Sequence, residues 1–114
     1  MIVPELKSIV SPDLKYGQFP DDVENCSVFI ELTIGPKDNE GEEVFSFTAV
    51  TSKYILNNFT NSWGRGYLII KKFSWQEIEL TINKLLAHCW ADDWIGVTNK
   101  LKNELHWEFD NYKE

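Results

Sequence analysis

Acidic side chains are the residues of this chain whose number and spacing point most clearly to a function. Eight carboxylates lie between Asp21 and Glu43 against the single base Lys37, whereas residues 44–72 contain four bases and no acid. The formal net charge of the 114 residues is −7 at pH 7. Such a surface repels nucleic acid and attracts a basic protein, because opposite electrostatic fields speed encounter. The charge pattern therefore predicts a protein-binding surface and no nucleic-acid partner.

The acidic stretch supplies the candidate contact residues. A predicted hairpin tip carries the first group, and the second group precedes it in the chain. An exposed Trp63 is a further candidate, since large rings often anchor interfaces. The alternative, a solvated surface that only promotes solubility, stays open. The candidates are Asp38, Glu40, Glu42 and Glu43, followed by Asp21, Asp22 and Glu24.

A second acidic group lies near the C-terminus. It is a weaker candidate for binding a partner, because two of its members can cap a helix. The bases of residues 44–72 are too few for a nucleic-acid patch on a chain with an isoelectric point near 4.8. They are predicted to balance the acids or to stay solvated. The second acidic group is Asp92, Asp93, Glu104, Glu108 and Asp110, and the bases are Lys53, Arg65, Lys71 and Lys72.

His88, Cys89 and His106 are the side chains that most resemble a metal site. Neighbouring helical residues point about 100° apart, so His88 and Cys89 are a poor start for the three or four ligands of zinc. The chain contains no G-x-S-x-G motif and no Walker signature. The sequence therefore predicts no catalytic residue, no metal and no cofactor.

Alternating apolar residues predict the strands that position the acidic groups. Residues 27–34 and 44–50 each alternate with a period of two, which is typical of a strand with one face in the core. Residues 35–41 between them supply turn chemistry, so the pair predicts a hairpin with a charged tip. Residues 1–10 read as a first strand, and residues 66–72 are apolar enough for a central strand.

Two helices are predicted in the C-terminal half. Ser74 and Glu77 match a capping box, and apolar side chains then recur at spacings of three and four from Trp75 to Cys89. A second helix follows Asp92 or Asp93, because an aspartate at this position accepts from backbone amides of the first turn.

Two shorter elements complete the prediction. Thr51 or Ser52 caps a short helix, and the tail from His106 forms a last short strand. Strands first and helices late favour an α+β fold: a mostly antiparallel sheet with two C-terminal helices packed on one face and a short helix between strands. Residues 1–114 are predicted to form one domain. The side chains predicted to face the core are Ile55, Leu56 and Phe59 in the helix and Trp107 and Phe109 in the strand.

Several segments, in the same order over most of the chain, resemble the immunity protein 8 family. The resemblance implies an antitoxin of a bacterial polymorphic-toxin or contact-dependent inhibition system, one that binds a cognate toxin domain, often a nuclease, and is not an enzyme. It carries over no catalytic residue, and Gln76 and Asn111 stand where relatives are expected to have acids. The segments are ELKS (5–8), SPD (11–13), IGPKDNEGEEVFSF (34–47), GYLII (66–70), FSWQEIE (73–79) and HWEFDNYKE (106–114).

The resulting hypothesis is a cytoplasmic immunity protein that binds its toxin one-to-one. Cys26 and Cys89 are expected to be reduced thiols, and the N-terminus lacks the pattern of a secretory signal. No segment approaches the ~20 apolar residues that span a membrane. The alternatives are a small enzyme that uses carboxylates, with Mg²⁺ as a possible cofactor, and a generic acidic protein-interaction module.

Overall fold

Five β-strands of the described part of the chain form a single mixed sheet in the computed structural model, which describes residues 1–110. β1 (Pro4–Val10), β2 (Ser27–Pro36) and β3 (Glu43–Thr51) are successive antiparallel neighbours. The free side of β3 is shared by two short strands, β4 (Tyr67–Ile70) and β5 (His106–Trp107). β4 runs parallel to β3 and β5 runs antiparallel to it, so the predicted hairpin and the mostly antiparallel sheet are confirmed.

Three helices are described in this part of the chain. α1 (Ser52–Asn58) follows β3 directly, and α2 (Trp75–Ala87) and α3 (Trp94–Leu101) lie in the C-terminal half. The α+β class is therefore confirmed. The departure from the family pattern at Asn111 lies outside the described residues.

The core lies between one face of the sheet and the two C-terminal helices. Alternate side chains of β2 and β3 are buried there, as the period of two predicts. The stripe on α2 and the inner face of α3 cover them. The buried members include Val28, Ile30, Leu32, Ile34, Phe45, Phe47, Ile78, Ile82, Leu86, Val97 and Leu101.

Side-chain caps begin all three helices. Ser74 Oγ accepts from the Glu77 amide at 3.3 Å, which confirms the predicted cap of α2. Asp93 rather than Asp92 caps α3, because its Oδ1 accepts from the Gly96 amide at 2.7 Å. These caps satisfy backbone amides that have no partner within the helix.

Three sequence-based predictions about burial were wrong. Residues 67–70 form an edge strand rather than a central one, because β2 and β1 occupy the other side of β3 and no further strand of the described chain pairs with β4. Leu56 is 84% exposed, since the short helix α1 buries no residue. Phe109 is 47% exposed, since β5 ends at Trp107 and the chain turns before Phe109.

Thr51, the last residue of β3, is fully buried, and its hydroxyl group joins the residue before β2 to the first turn of α1. Its Oγ1 accepts from the amides of Cys26 at 3.0 Å and Tyr54 at 3.3 Å, and it donates to the Cys26 carbonyl at 3.3 Å. A buried amide without a partner is costly. Thr51→Val keeps the shape of the side chain and should therefore lower the free energy of unfolding by about 1–2 kcal/mol in urea titrations. The exposed Thr60→Val is the control, with a change within about 0.5 kcal/mol.

Candidate functional site

The connection between β2 and β3 holds the predicted charged tip in a defined position. A turn from Pro36 to Asn39 closes it, with the Asn39 amide donating to the Pro36 carbonyl at 3.3 Å and Asp38 at a positive φ of 63°. The connection then folds back over the sheet, so that a Cβ atom on Gly35 would overlap the carbonyl oxygen of Gly41. Glycine at position 35 therefore permits the close approach of two backbone segments.

The acidic tip, defined as Asp38, Glu40 and Glu42, is exposed to solvent. None of these three carboxylates takes part in an ion pair within residues 1–110. The Lys7 ammonium group contacts the backbone of the tip rather than its carboxylates. It pairs with Glu5 at 2.8 Å and donates to the Asn39 carbonyl at 3.5 Å. The Lys7 contact also lowers the pKa of Glu5 below its ordinary value, first through the hydrogen bond. The charge of the acidic tip is thus left for solvent or a partner.

Glu43 and Glu108 extend the negative charge from the tip along the side of the sheet. Glu43 accepts a hydrogen bond from Trp107 Nε1 at 2.6 Å, and this contact holds its carboxylate in place. Glu108 Oε1 accepts from the Val44 amide at 3.0 Å, and the Glu108 amide donates to the Val44 carbonyl. The short strand β5 therefore brings a carboxylate from the C-terminal acidic group to the hairpin.

The second set of candidates lies at the other end of the sheet. Asp21, Asp22 and Glu24 are exposed in the loop before β2, and Asp22 Oδ1 accepts from the Glu24 amide at 3.0 Å. Because the ten residues of β2 rise about 3.3 Å each, this loop and the acidic tip are roughly 30 Å apart. The structure therefore separates the two groups of acids that are close together in the sequence.

Three bases lie at the same end of the sheet as this second group. The Val23 carbonyl accepts from the Phe73 amide at 2.7 Å, which brings the loop close to Lys72. Lys71 follows β4 and Lys53 follows β3 at the same end of the sheet. The loop before β2 and the residues just after β3 and β4 carry three acids and three bases, which we together call the balanced end: Asp21, Asp22, Glu24, Lys53, Lys71 and Lys72.

The opposite end is strongly negative. It combines six carboxylates with two ammonium groups, and we call it the acidic end. The acids of this end come from three separate stretches of sequence: β1, the hairpin and the residue that follows β5. Its charged residues are Glu5, Asp38, Glu40, Glu42, Glu43, Glu108, Lys7 and Lys37.

Trp63 lies on the flank of the sheet rather than on the acidic tip. Its side chain is 94% exposed, in the connection between α1 and β4. Three residues later the Gly66 carbonyl accepts from the Thr48 amide at 2.8 Å, which fixes this connection near the middle of β3. Thr48 is five residues from Glu43, or roughly 17 Å along the strand. An interface of about 800 Å² on each partner could include both Trp63 and the acidic end.

The C-terminal acid Asp110 is engaged within the protein. Its carboxylate pairs with Arg65, and with Lys102 at 3.1 Å. Hydrogen bonds from these two cations hold the pKa of Asp110 below its ordinary value. Arg65 Nε also donates to the Lys102 carbonyl at 2.7 Å. Arg65 therefore balances an acid, as the sequence predicts, and anchors the segment that carries Glu108.

The remaining reactive side chains are dispersed. Cys26 and Cys89 are free and buried, and burial is the main cause that raises the pKa of each thiol. His88 caps the end of α2, and His106 lies in β5 with its ring against Gly66. Within residues 1–110, no three His, Cys, Asp or Glu side chains are grouped as metal ligands would be.

An apolar cleft of about 230 Å³ lies between β4 and α2. Glu104 is the one acidic residue in its lining, and that side chain is exposed. Carboxylate-based hydrolysis of the glycosidase type uses two opposed acids. The cleft lacks that arrangement, and its apolar lining comes from Phe47, Tyr67, Leu68, Ile82, Leu85 and Leu105.

A family model described as immunity protein 8 matches residues 4–112. The chain belongs to the immunity protein 8 family. This match covers nearly all of the sheet and helices described above, including both ends of the sheet. No curated protein and no solved structure matches the chain. Membership of the immunity protein 8 family indicates a protein that protects against a toxin by binding it, a role that needs no enzymatic activity.

Sequence reasoning missed Glu5 and Glu108 as members of the acidic end. Glu108 was visible only as part of a C-terminal acidic group, because its pairing with Val44 joins residues 64 positions apart. The predicted last strand from His106 indicated that Glu108 could lie beside the sheet. The sequence does not show which strand that segment pairs with. No helix among the described residues has the length and hydrophobicity to cross a membrane.

Proposed function

We propose that this immunity protein neutralises a basic, nuclease-type toxin domain in the cytoplasm by binding it one-to-one through the acidic end of the sheet. The observation that carries the proposal is the unequal charge of the two ends. The acidic end has six carboxylates against two ammonium groups, whereas the residues of the balanced end are three of each sign, with Glu77 in the adjoining first turn of α2. A nuclease binds a polyanion, so its active site is basic and complementary to the acidic end.

The geometry of the acidic tip supports a direct role in contact. Asp38, Glu40 and Glu42 project from a turn and make no ion pair within the described residues, so binding need not break an internal pair. Glu43 is oriented by Trp107 and Glu108 by the Val44 amide, so these two carboxylates are ordered before binding. Preorganised charges reduce the entropy lost in forming an interface.

A co-expression experiment tests the function itself. The cognate toxin domain, searched for among the neighbouring genes, is expressed from an inducible promoter, with and without the immunity protein, and growth is recorded. We expect the immunity protein to restore growth and to co-purify with the toxin in equal molar amounts. A version of the toxin without its active-site residues is the control for general toxicity. Failure to protect, despite soluble expression of both proteins, would contradict the proposal.

A further inference from the structure

β4 is an edge strand with an open side. Gly66 directs its carbonyl to β3, and successive residues of a strand direct their backbone groups to alternate sides. The backbone groups of Leu68 and Ile70 therefore face β3, whereas those of Tyr67 and Ile69 face away from the sheet. The Tyr67 N–H donates to the Gly64 carbonyl at 3.3 Å, so the outward groups left for a partner are the Tyr67 carbonyl and the N–H and C=O of Ile69. No other strand of residues 1–110 covers this side, and the Ile69 side chain is 62% exposed. The arrangement is a template for one more strand.

The apolar cleft between β4 and α2 borders the same edge. Leu68 of β4 and Leu85 of α2 line it, and both are only partly buried. A strand added to β4 would direct every second side chain towards this cleft, because side chains alternate between the two faces of a sheet. Pairing at the edge would therefore also bury apolar surface.

The charges along β4 determine which partner fits. Lys71 and Lys72 follow its C-terminal end, whereas the Gly66 amide at the other end donates to the Glu104 carbonyl at 3.1 Å. A uniformly basic partner would be repelled by the lysine end. An antiparallel strand of the same sequence instead places the lysines of the second copy beside Glu104 of the first copy. By symmetry, the lysines of the first copy lie beside Glu104 of the second copy.

We propose that a second copy of this chain pairs with β4 in an antiparallel arrangement about a two-fold axis at Ile69. Ile69 of each copy then exchanges two hydrogen bonds with Ile69 of the other, and Tyr67 lies opposite Lys71. Lys72 of the second copy lies opposite Gly66, close to Glu104. The inference goes beyond the proposed function, and toxin and immunity protein would still combine in equal numbers. The acidic tip lies at the other end of β3 from the residues that pair with β4.

Ile69→Pro is the most specific test of this edge. Proline removes the outward N–H and leaves the bonds of Leu68 and Ile70 to β3 intact, since proline is tolerated where the N–H of an edge strand faces solvent. The native protein should show a mass that rises with concentration from 13.3 kDa towards twice that value in sedimentation experiments. The proline variant should dimerise at least roughly tenfold more weakly, because both central hydrogen bonds are lost. Ile69→Val, which keeps the N–H, should behave as the native protein, and circular dichroism verifies that each variant is folded.

A charge exchange tests the register. Lys72 and Glu104 lie near opposite ends of β4, six residues or roughly 20 Å apart, so they do not pair within one copy. Lys72→Glu and Glu104→Lys should each weaken dimerisation, and the double variant should restore it. Restoration supports the proposed pairing, whereas a double variant weaker than either single variant overturns it.

These experiments use no toxin, so their outcome is separate from that of the proposed function. A native protein that stays at 13.3 kDa at all concentrations overturns the dimer. A proline variant that dimerises as well as the native protein also overturns it. A separate binding assay with the toxin covers one further outcome: if the native protein is monomeric and Ile69→Pro weakens toxin binding, the edge belongs to the toxin interface and the dimer is rejected.

Discussion

Association with the toxin should slow by roughly tenfold to a hundredfold at low salt when Glu40 and Glu42 are both replaced by lysine. These two carboxylates are exposed on the acidic tip and make no ion pair or hydrogen bond within the described residues, so the fold should not depend on them. Asp38 is kept because its backbone has a positive φ, and Glu43 because it accepts from Trp107. The association rate is measured by stopped flow or biolayer interferometry at several salt concentrations.

A matched variant separates local from overall charge. Asp21→Lys with Glu24→Lys changes the net charge by the same amount at the balanced end, roughly 30 Å away. We expect this variant to associate nearly as fast as the native protein, and the tip variant to lose most of its salt dependence, because salt screens the attraction that has been removed. Equal slowing in both variants would assign the effect to net charge. No change in the tip variant would move the contact to another surface.

Gly35→Ala should lower the free energy of unfolding by about 3 kcal/mol, although alanine in a strand is ordinarily better than glycine by about 0.5–1 kcal/mol. The added Cβ atom would overlap the Gly41 carbonyl oxygen and would lie 3.3 Å from Lys7 Cε. The carbonyl belongs to the backbone and cannot rotate away as a side chain can, so the tip must shift or β2 must distort. Urea unfolding monitored by tryptophan fluorescence measures the loss.

The same substitution should also weaken binding of the toxin, because the displaced connection carries the acidic tip. Gly64→Ala is the matched control: its Cβ atom would meet nothing within 4 Å, and the change should stay within about 0.5 kcal/mol. A Gly35→Ala protein as stable as the native one would show that the hairpin connection does not fold back over the sheet. A destabilised protein that still binds at the native rate would show that the position of the tip is unimportant.

Much of the local structure follows from patterns among neighbouring residues. The alternation in residues 27–34 and 44–50 predicts two strands, and the turn residues between them predict a hairpin, which the structure confirms. Ser74 and the apolar spacing after it likewise predict α2. These signals are local, because strand and helix periods and side-chain caps involve residues only a few positions apart.

The short elements were harder to predict. The apolar run 67–70 is equally suited to a central or an edge strand, and its place depends on which strands have already paired with β3. Leu56 fits an apolar face of α1, yet a helix of seven residues leaves it in solvent. The residue types of such a segment favour a strand or a helix, but whether the segment is buried depends on which other segments pack against the same part of the sheet.

The sequence by itself determined the elements, the charged turn between β2 and β3, and the excess of acid over base. Only the tertiary structure decided which charges act together. In the fold, Asp21, Asp22 and Glu24 lie at the end of the sheet opposite the hairpin tip, the end that also carries Lys53, Lys71 and Lys72. Pairing of β5 with β3 places Glu108 beside the hairpin. The reason is physical: an extended strand carries its two ends far apart, while backbone pairing joins residues that are distant in the chain.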